Sequence, residues 1–294
     1  LQAKKNSIKL ENIAIIGSGG RENSLAWAIQ KNDFVNNIFL IPGNGGSSNI
    51  RKTQCIDLNY ENSNKLILLL NKLNIDLIII GPETPLAAGL ADTLRKADFL
   101  VFGPNQDGAQ IEASKSWAKN FMRKANIPTA DYWIISNYDD AKHIINNSKT
   151  PIVVKVDGLA QGKGVFLPET KRETLEIIES ILNGKFGNAG NTIVLEERIQ
   201  VPEISIFAIC DGKNYVLLPS AQDHKRLEEK DQGLNTGGMG AYAPTPLLSE
   251  NDLLEIKQKI IAPTIDELIK KNIDYRGVLY FGLMITKLGP KVIE

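Results

Sequence analysis

The sequence predicts an α/β fold in two parts: an open parallel sheet over the first 110 residues, then a domain in which strands dominate. Three observations predict it. Short apolar runs alternate with helical patterns at the start of the chain, Gly or Pro follows most of these runs, and the alternation ends near Gly103-Pro104. Continuous apolar runs suit strands buried on both faces, and a β-α-β-α order favours a parallel sheet wound with helices.

The same patterns place the elements. In the first part we expect strands at residues 13–16, 38–41, 75–80 and 99–102 and helices at about 22–31, 62–73 and 86–97. In the second part we expect a helix at 114–125, strands at 152–156, 165–167, 193–197, 204–210 and 215–218, and helices at about 171–182 and 250–271. The predicted domains are residues 1–112 and 113–294.

Charge and composition limit the classes of function. Lysine plus arginine and aspartate plus glutamate number 34 each, so a nucleic-acid partner, which needs a basic face, is not expected. The two cysteines, Cys55 and Cys210, are too few for a disulfide framework. No apolar run reaches the roughly 18 residues of a membrane span. We therefore expect a cytoplasmic protein that acts on small molecules and has no membrane partner.

A glycine-rich turn follows the first predicted strand. Its sequence, Gly17-Ser18-Gly19-Gly20-Arg21-Glu22, lacks glycine at the sixth position of the dinucleotide fingerprint, and no acidic residue for a ribose follows the second strand. Both departures count against a nicotinamide-dependent oxidoreductase. Amides at a helix N-terminus beside Arg21 would hold a phosphate. A tight turn with a solvated arginine is an equally good interpretation.

The most informative stretch is a lysine-bearing strand followed by glycines. Lys155 lies near the end of the strand, and Gly162, Lys163 and Gly164 follow in the loop. A lysine within an apolar strand is costly unless it meets an anion, and glycine amides approach phosphate oxygens closely. We therefore predict a phosphate-binding loop, although its spacing departs from a Walker loop. The alternative is a lysine that snorkels from a sheet edge above a hairpin.

Three further polar segments are candidate ligand contacts. The strand that ends in Glu196 and Glu197, with Glu203 a few residues on, is of the kind that holds a nucleotide base and ribose, but solvated glutamates are the commoner case. The segments 222–226 and 235–242 flank a charged loop. The first offers cations for an anion, and the second has enough glycine for a close approach to a ligand. By default they are a solvated face and a long loop.

Nine motifs in order give the chain a resemblance to a known family. They are GSGGRE (17–22), PGNGG (42–46), GPETPL (81–86), FGP (102–104), EASK (112–115), IPT (127–129), the stretch 155–164, QDHKR (222–226) and the stretch 235–242. Through them the chain resembles the phosphoribosylamine–glycine ligases (glycinamide ribonucleotide synthetases), ATP-grasp enzymes of purine biosynthesis. The resemblance implies a Rossmann-like, substrate-binding N-terminal domain and an ATP-grasp domain truncated at its C-terminal end.

The resemblance also implies a reaction and its cofactors. The family uses ATP, with Mg²⁺ or Mn²⁺, to convert glycine to an acyl phosphate. The amine of 5-phosphoribosylamine then attacks it, which gives glycinamide ribonucleotide, ADP and phosphate. Phosphorylation provides the carboxylate with a leaving group, and the intermediate must be shielded from water. A glycine loop and lid that close over ATP would provide the shield.

Each matched residue takes an expected role from the resemblance. Those expected to hold ATP are Lys115, Lys155, Gly162, Lys163, Gly164, Glu196, Glu197, Ile199 and Glu203. Those expected to hold phosphoribosylamine are Gly19, Gly20, Arg21, Asn44 and Glu83. Those expected where the two substrates meet are Asp223, Lys225, Arg226, Thr236, Gly237, Gly238 and Met239. The expected catalytic residues are Lys155, Asp223, Lys225 and Arg226, and the expected metal ligand is Glu294.

Three departures separate the chain from the family pattern. Asn23 stands where the family usually has His, and Val201-Pro202 replaces the usual Gly-Glu before Glu203. The sequence opens on Leu1 and stops at Glu294, before the family's asparagine metal ligand and its further domain. We therefore expect a poorly active piece of a longer protein. Another ATP-grasp carboxylate–amine ligase and an inactive nucleotide-binding fragment are the alternatives.

Overall fold

The chain divides into two compact units. The computed structural model describes residues 9–160, 164–230 and 232–294. The first unit runs through Ala109 and takes in Asp274–Gly277, and the second comprises Gln110–Ile273 and Val278–Glu294. No sequence pattern indicated the short return at 274–277, and the predicted boundary at 112/113 stays a prediction.

A five-stranded parallel sheet forms the centre of the first unit. Its strands are Asn12–Gly17 (β1), Asn37–Pro42 (β2), Thr53–Cys55 (β3), Leu77–Ile80 (β4) and Val101–Phe102 (β5). Their order is β3-β2-β1-β4-β5, and every neighbouring pair is parallel, so the predicted parallel sheet is confirmed. The additional strand β3 is short and polar. Because β2 and β4 lie on opposite sides of β1, the winding reverses there, where open α/β sheets place their ligands.

Helices pack against both faces of this sheet. They are Gly20–Ile29 (α1), Ser63–Lys72 (α2), Glu83–Ala87 (α3) and Leu90–Lys96 (α4), with a 3-10 turn at Ser47–Asn49. Alternate strand residues feed two cores: Ile16 packs with Leu66 of α2, whereas Ile15 packs with Ala26 of α1. The prediction of one helix over 86–97 was wrong, because Gly89 adopts a left-handed conformation with φ +81° that separates α3 from α4.

The second unit contains two four-stranded sheets and a two-stranded ribbon. The strands are Tyr132–Ile135 (β6), Ile152–Val156 (β7), Val165–Phe166 (β8), Ile193–Glu197 (β9), Glu203–Asp211 (β10), Tyr215–Leu217 (β11), Gln222–Glu228 (β12), Gln232–Tyr242 (β13), Arg276–Thr286 (β14) and Gly289–Val292 (β15). The first two residues of β14 belong to the first unit. One sheet has the antiparallel order β6-β9-β7-β8, the other has the order β11-β10-β14-β15, and β12 pairs with β13.

Helices complete the second unit. They are Lys115–Lys124 (α6), Tyr138–Asn147 (α7), Lys171–Ser180 (α8), Glu250–Ile256 (α9) and Ala262–Lys270 (α10), after a helix at Gln106–Ala113 (α5) that crosses the boundary between the units. Side chains of α7 and α8 pack with those of β7 and β9; Ile145, Ile178, Val154 and Leu195 are all fully or almost fully buried. No helix within the described ranges is long and apolar enough to cross a membrane.

The structure corrects one expectation for the second unit and refines another. The charged segment 222–226 and the glycine-rich segment 235–242, expected by default as a solvated face and a long loop, lie in the paired strands β12 and β13. Their register shifts between His224 and Glu228, and glycines replace the apolar alternation that usually marks a strand. The helix expected over 250–271 contains a π-helical segment at Lys257–Ile261, between α9 and α10.

Candidate functional site

Three loops meet at the carboxyl ends of the first-unit strands. Arg21, at the start of α1, donates from Nη1 to the carbonyl oxygen of Gly81 at 3.0 Å and from Nη2 to Oε1 of Glu83 at 2.7 Å. Asn44, after β2, donates from Nδ2 to the carbonyl oxygen of Ser18 at 2.8 Å. The structure thus brings the predicted substrate residues of this unit to one edge of the sheet. Arg21 is ion-paired rather than merely solvated.

Glu22 fills the space beneath the first glycine-rich turn. Its side chain is buried, and Oε2 accepts a hydrogen bond from the backbone N–H of Gly19 at 2.6 Å. A Cβ atom at Gly17, where φ is +126°, would lie 2.8 Å from this carboxylate side chain. Glu22, the residue that departs from the dinucleotide fingerprint, therefore stabilises the turn through its hydrogen bond to Gly19 and its packing against Gly17. The role of Gly19 and Gly20 as phosphate donors stays a prediction.

Gly81→Ala is expected to destabilise this edge, because a Cβ atom there would overlap Oε1 of the buried Glu22 carboxylate. Displacing that side chain would break its bond to the Gly19 amide, and overpacking of this kind costs about 1–3 kcal/mol. Urea denaturation would measure the loss. Gly20→Ala is the matched control: nothing lies within 4 Å of its Cβ position, so stability should hold or rise by up to about 1 kcal/mol. Equal effects of both changes would contradict the packing argument.

A pocket in the second unit collects several of the predicted ATP residues. Its walls are largely apolar, with Phe121, Met122, Leu279 and Phe281 among them. Its polar lining consists of Glu112, Lys115, Lys119, Lys155, Thr264, Glu196, Tyr280 and Glu294. A mostly apolar pocket with a few convergent charged groups is the usual form of a small-molecule site.

Glu196 lies between two lysines inside this pocket. Its Oε2 is 2.9 Å from Nζ of Lys119, and its Oε1 is 2.8 Å from Nζ of Lys155. The residue is 2% exposed, so it is not the solvated glutamate that its place at a strand end suggested. Lys155 is 7% exposed and also donates to the carbonyl oxygen of Ile293 at 2.7 Å. The anion that a strand lysine needs is thus supplied within the protein, and the snorkelling alternative is wrong.

Sequence reasoning missed Lys119. It is 2% exposed, and burial, partly offset by the charge of Glu196, lowers its pKa to about 8. The available signal was helical spacing: Lys119 follows Lys115 by four residues on α6, beside the buried Phe121 and Met122. Lysines four residues apart share a helix face, so this one faces the interior with its neighbours.

The start of α6 is tied to the end of β7. Asp157 accepts hydrogen bonds from the N–H of Ser116 at 2.9 Å and from the Ser116 hydroxyl at 2.6 Å. Lys115 donates to the carbonyl oxygen of Gly158 at 3.4 Å. These contacts hold Lys115 and Lys155 on the same side of the unit, where both line the pocket.

A second polar cluster forms around Glu203. Its Oε1 lies 2.7 Å from Nζ of Lys225 and accepts from the Tyr280 hydroxyl at 3.2 Å. Burial alone would lower the pKa of Lys225, but the charges of Glu203, Tyr280 and Asp223 and the hydrogen bond to Glu203 together outweigh it and raise that pKa. Burial and Glu203 together raise the pKa of Tyr280. Asp223 is 3.9 Å from Lys225, so two of the expected catalytic residues of β12 lie together.

Gly282 separates this cluster from the end of the chain. A Cβ atom there would lie 3.2 Å from Oε1 of Glu203 and 3.3 Å from Cβ of Glu294. Glu203 and Glu294 therefore flank the same glycine. Tyr280, which sequence reasoning did not single out, also stands beside this gap, since its hydroxyl would lie 3.0 Å from that Cβ atom.

The other predicted site residues are not brought into the charged pocket. Glu197 pairs with Lys291 at 3.3 Å, Arg226 donates to the carbonyl oxygen of Gly233 at 2.6 Å, and the hydroxyl of Thr236 donates to the carbonyl oxygen of Lys225. Ile199 is half-buried beyond the end of β9, and Gly237, Gly238 and Met239 are exposed on β13. Gly162 and Lys163 lie outside the described residues. Gly164 directly precedes β8. A Cβ atom at Gly164 would lie 2.7 Å from Cβ of Ala160.

The described residues do not fit a metal ion by themselves. Across the described parts of the chain, no group of three or more His, Cys, Asp or Glu side chains could hold one. Magnesium demands near-octahedral oxygen coordination. Glu294 is exposed at the edge of the pocket, and its role as a metal ligand stays a prediction.

Comparison with known proteins agrees with this geometry. The model of the phosphoribosylglycinamide synthetase N domain matches residues 11–112, and the model of the phosphoribosylglycinamide synthetase ATP-grasp (A) domain matches residues 113–294. The fold is thus that of an ATP-grasp protein, as predicted. The chain belongs to the phosphoribosylglycinamide synthetase family.

Three similar proteins show the extent of the match. The chain is 43% identical over 290 residues to the phosphoribosylamine–glycine ligase of Rhodopirellula baltica, covering 96% of this chain and 66% of that protein. It is 45% identical over 288 residues to the trifunctional purine biosynthetic protein adenosine-3 of Chironomus tentans, covering 97% and 21%. A crystal structure of phosphoribosylamine–glycine ligase from Thermotoga maritima matches with a TM-score of 0.82 and 31% identity, covering 96% and 68%. The chain therefore spans between about a fifth and about two thirds of the length of these proteins.

Proposed function

We propose that the protein containing this chain ligates glycine to 5-phosphoribosylamine at the expense of ATP. The γ-phosphoryl group moves to a carboxylate oxygen of glycine and releases ADP. The amine of phosphoribosylamine then attacks the glycyl carbonyl carbon, phosphate leaves with the electron pair of the broken C–O bond, and the amine loses a proton. The observation that carries the proposal is the pocket in which Lys155 and Lys115 stand beside Glu196.

The two lysines suit the nucleotide phosphates. The ammonium group of Lys155 donates to the carbonyl oxygen of Ile293 and lies 2.8 Å from Glu196. Among the described residues, Lys115 has a long bond of 3.4 Å to Gly158. A lysine ammonium is a strong phosphate partner when it is partly withdrawn from water. Both cations would stabilise charge that develops on the transferred phosphoryl group.

Glu196 suits the adenine amino group. Its Oε1 is buried and accepts no well-aligned hydrogen bond from the described residues, although Lys155 lies 2.8 Å away. A buried acceptor without an aligned donor favours a ligand that brings one. The exocyclic amine of adenine is such a donor. Glu203, at the start of β10, offers a carboxylate of the kind that accepts hydrogen bonds from ribose hydroxyls.

The first unit suits a phosphate ester. Arg21 lies at the N-terminus of a ten-residue helix, directly after Gly19 and Gly20, where backbone amides and the helix dipole favour an anion. In this arrangement the 5-phosphate of phosphoribosylamine would compete with Glu83 for the guanidinium group. The described residues alone do not make a site for the divalent cation expected with ATP.

The test is ADP release by the full-length protein. We expect release that requires both glycine and 5-phosphoribosylamine, and a ribonucleotide product that contains one glycine. Other amino acids and other amines form the comparison panel. A better substrate within that panel would make the protein a different carboxylate–amine ligase. No ADP with both expected substrates would exclude the proposal, and binding of NADH in place of ATP would point to another class of protein.

A further inference from the structure

Lys119 is a buried cation that the proposed reaction does not use. Its Nζ lies 2.9 Å from Oε2 of Glu196 and donates to the hydroxyl of Thr129 at 2.7 Å. That hydroxyl in turn donates to the carbonyl oxygen of Val292 at 2.6 Å. A lysine is almost never fully buried unless its charge is compensated, so the burial of Lys119 calls for a physical reason.

The two buried lysines, Lys119 and Lys155, are both linked by hydrogen bonds to the backbone of Val292 and Ile293. Lys119 reaches the carbonyl oxygen of Val292 through Thr129, and Lys155 donates directly to the carbonyl oxygen of Ile293. Glu196 links the two ammonium groups. One continuous network therefore joins α6, β7 and β9 to the end of β15, along the wall of the pocket.

Counting charges suggests what Lys119 adds. Glu196 and Lys155 alone would form a neutral pair, which attracts a polyphosphate little. With Lys119 the cluster carries one net positive charge. In a partly desolvated pocket a unit charge acts more strongly on a ligand a few ångströms away than it does in water.

We propose that Lys119 is a positioning residue for the nucleotide: it neutralises Glu196 from behind, so that the ammonium charge of Lys155 stays available to the phosphates. The inference rests on the proposed function, because it concerns the same pocket. Lys119 acts through Glu196 and is not itself placed against the phosphates.

A dependence on pH follows from the same geometry. Burial lowers the pKa of Lys119 to about 8. The ammonium form therefore prevails at pH 7 and is lost as the pH rises through about 8. Nucleotide affinity should fall over the same range. The charged and titratable groups that face Lys119 or share its pocket are Glu196, Lys155, Tyr132, Lys115, Glu112, Tyr280 and Glu294.

The experiment compares Lys119→Met with Lys124→Met, an exposed lysine of the same helix. The probe is adenylyl imidodiphosphate at fixed magnesium, titrated by calorimetry between pH 6.5 and 9. We expect wild-type affinity to fall with a midpoint near pH 8, and Lys124→Met to do the same. Lys119→Met should bind about tenfold more weakly at pH 7 and show no such fall.

A second variant keeps the inference testable should Lys119→Met fail to fold. Thr129→Val removes the hydroxyl that accepts from Lys119 but keeps the charge, so the fall in affinity should move to lower pH. An unmoved fall, or a Lys119→Met protein that binds like wild type, would overturn the inference while wild-type binding upholds the proposed function. No binding by the full-length wild-type protein would overturn both.

Discussion

Glu196→Gln is expected to lower the free energy of unfolding by about 3–5 kcal/mol, the usual cost of removing one partner from a buried ion cluster. The change keeps the volume of the side chain but leaves the ammonium groups of Lys119 and Lys155 without their shared carboxylate, 2.9 and 2.8 Å away. Both lysines are almost fully buried, so water cannot replace the lost charge. Urea denaturation followed by circular dichroism would measure the loss.

Glu197→Gln is the matched control for this experiment. Glu197 is the next residue of β9 and pairs with Lys291 at 3.3 Å, but both side chains are partly exposed. An exposed pair of this kind contributes about 0–1 kcal/mol. A similar loss for both variants would show that the buried cluster carries no special share of the stability.

A double variant separates charge from packing. If uncompensated charge is the cause, adding Lys119→Met to Glu196→Gln should recover part of the stability, because it removes one of the two unpaired ammonium groups. Neighbours in one network are expected to be non-additive in this way. Losses that simply add would mean that shape, rather than charge, decides the effect.

The strands of the first unit could be predicted because burial on both faces leaves a direct record in the sequence. Ile13 through Ile16 and Leu77 through Ile80 are continuous apolar runs, and both are strands of the parallel sheet. The strand β3 lies at the edge of the sheet and is only partly buried. An edge strand needs no apolar run, so the sequence pattern did not predict β3.

The pocket could be predicted only in part. Lys155 was predicted because a lysine within an apolar strand breaks the local pattern, whereas the role expected for Glu196 came from the family resemblance, since the local pattern favoured a solvated glutamate. Lys119 and Tyr280 break no such pattern: helical spacing places Lys119 on the same face as Lys115 but does not show that it is buried, and Tyr280 is one more aromatic residue in a strand. Their importance arises from contacts over long sequence separations, such as the one between Lys119 and Glu196, which spacing along the chain does not record.

The ribbon of β12 and β13 was missed for a different reason. Many of its residues are charged or glycine, and most of the described ones from His224 to Tyr242 are exposed. Pairing there depends on backbone hydrogen bonds rather than on side-chain burial. Sequence patterns that rest on apolar alternation do not detect such a pair.

Lys155→Met should weaken the binding of adenylyl imidodiphosphate by about 10- to 150-fold, corresponding to about 1.5–3 kcal/mol for a hydrogen bond to a charged group. Lys155 is the cation of β7 that lines the pocket, and methionine matches its length while removing the charge. Glu196 would keep Lys119 at 2.9 Å, so the fold should survive. Calorimetry at pH 7 would give the affinity, and circular dichroism would verify the fold.

Two controls decide what this loss would mean. Lys213→Met removes an exposed lysine from the turn between β10 and β11, and its affinity should equal that of wild type. The Lys155→Met protein should also bind weakly at every pH between 6.5 and 9, because it lacks the cation that Lys119 is proposed to keep available. Undiminished affinity in Lys155→Met would place the nucleotide phosphates elsewhere. A loss shared by Lys213→Met would indicate that net charge, rather than the pocket, controls binding.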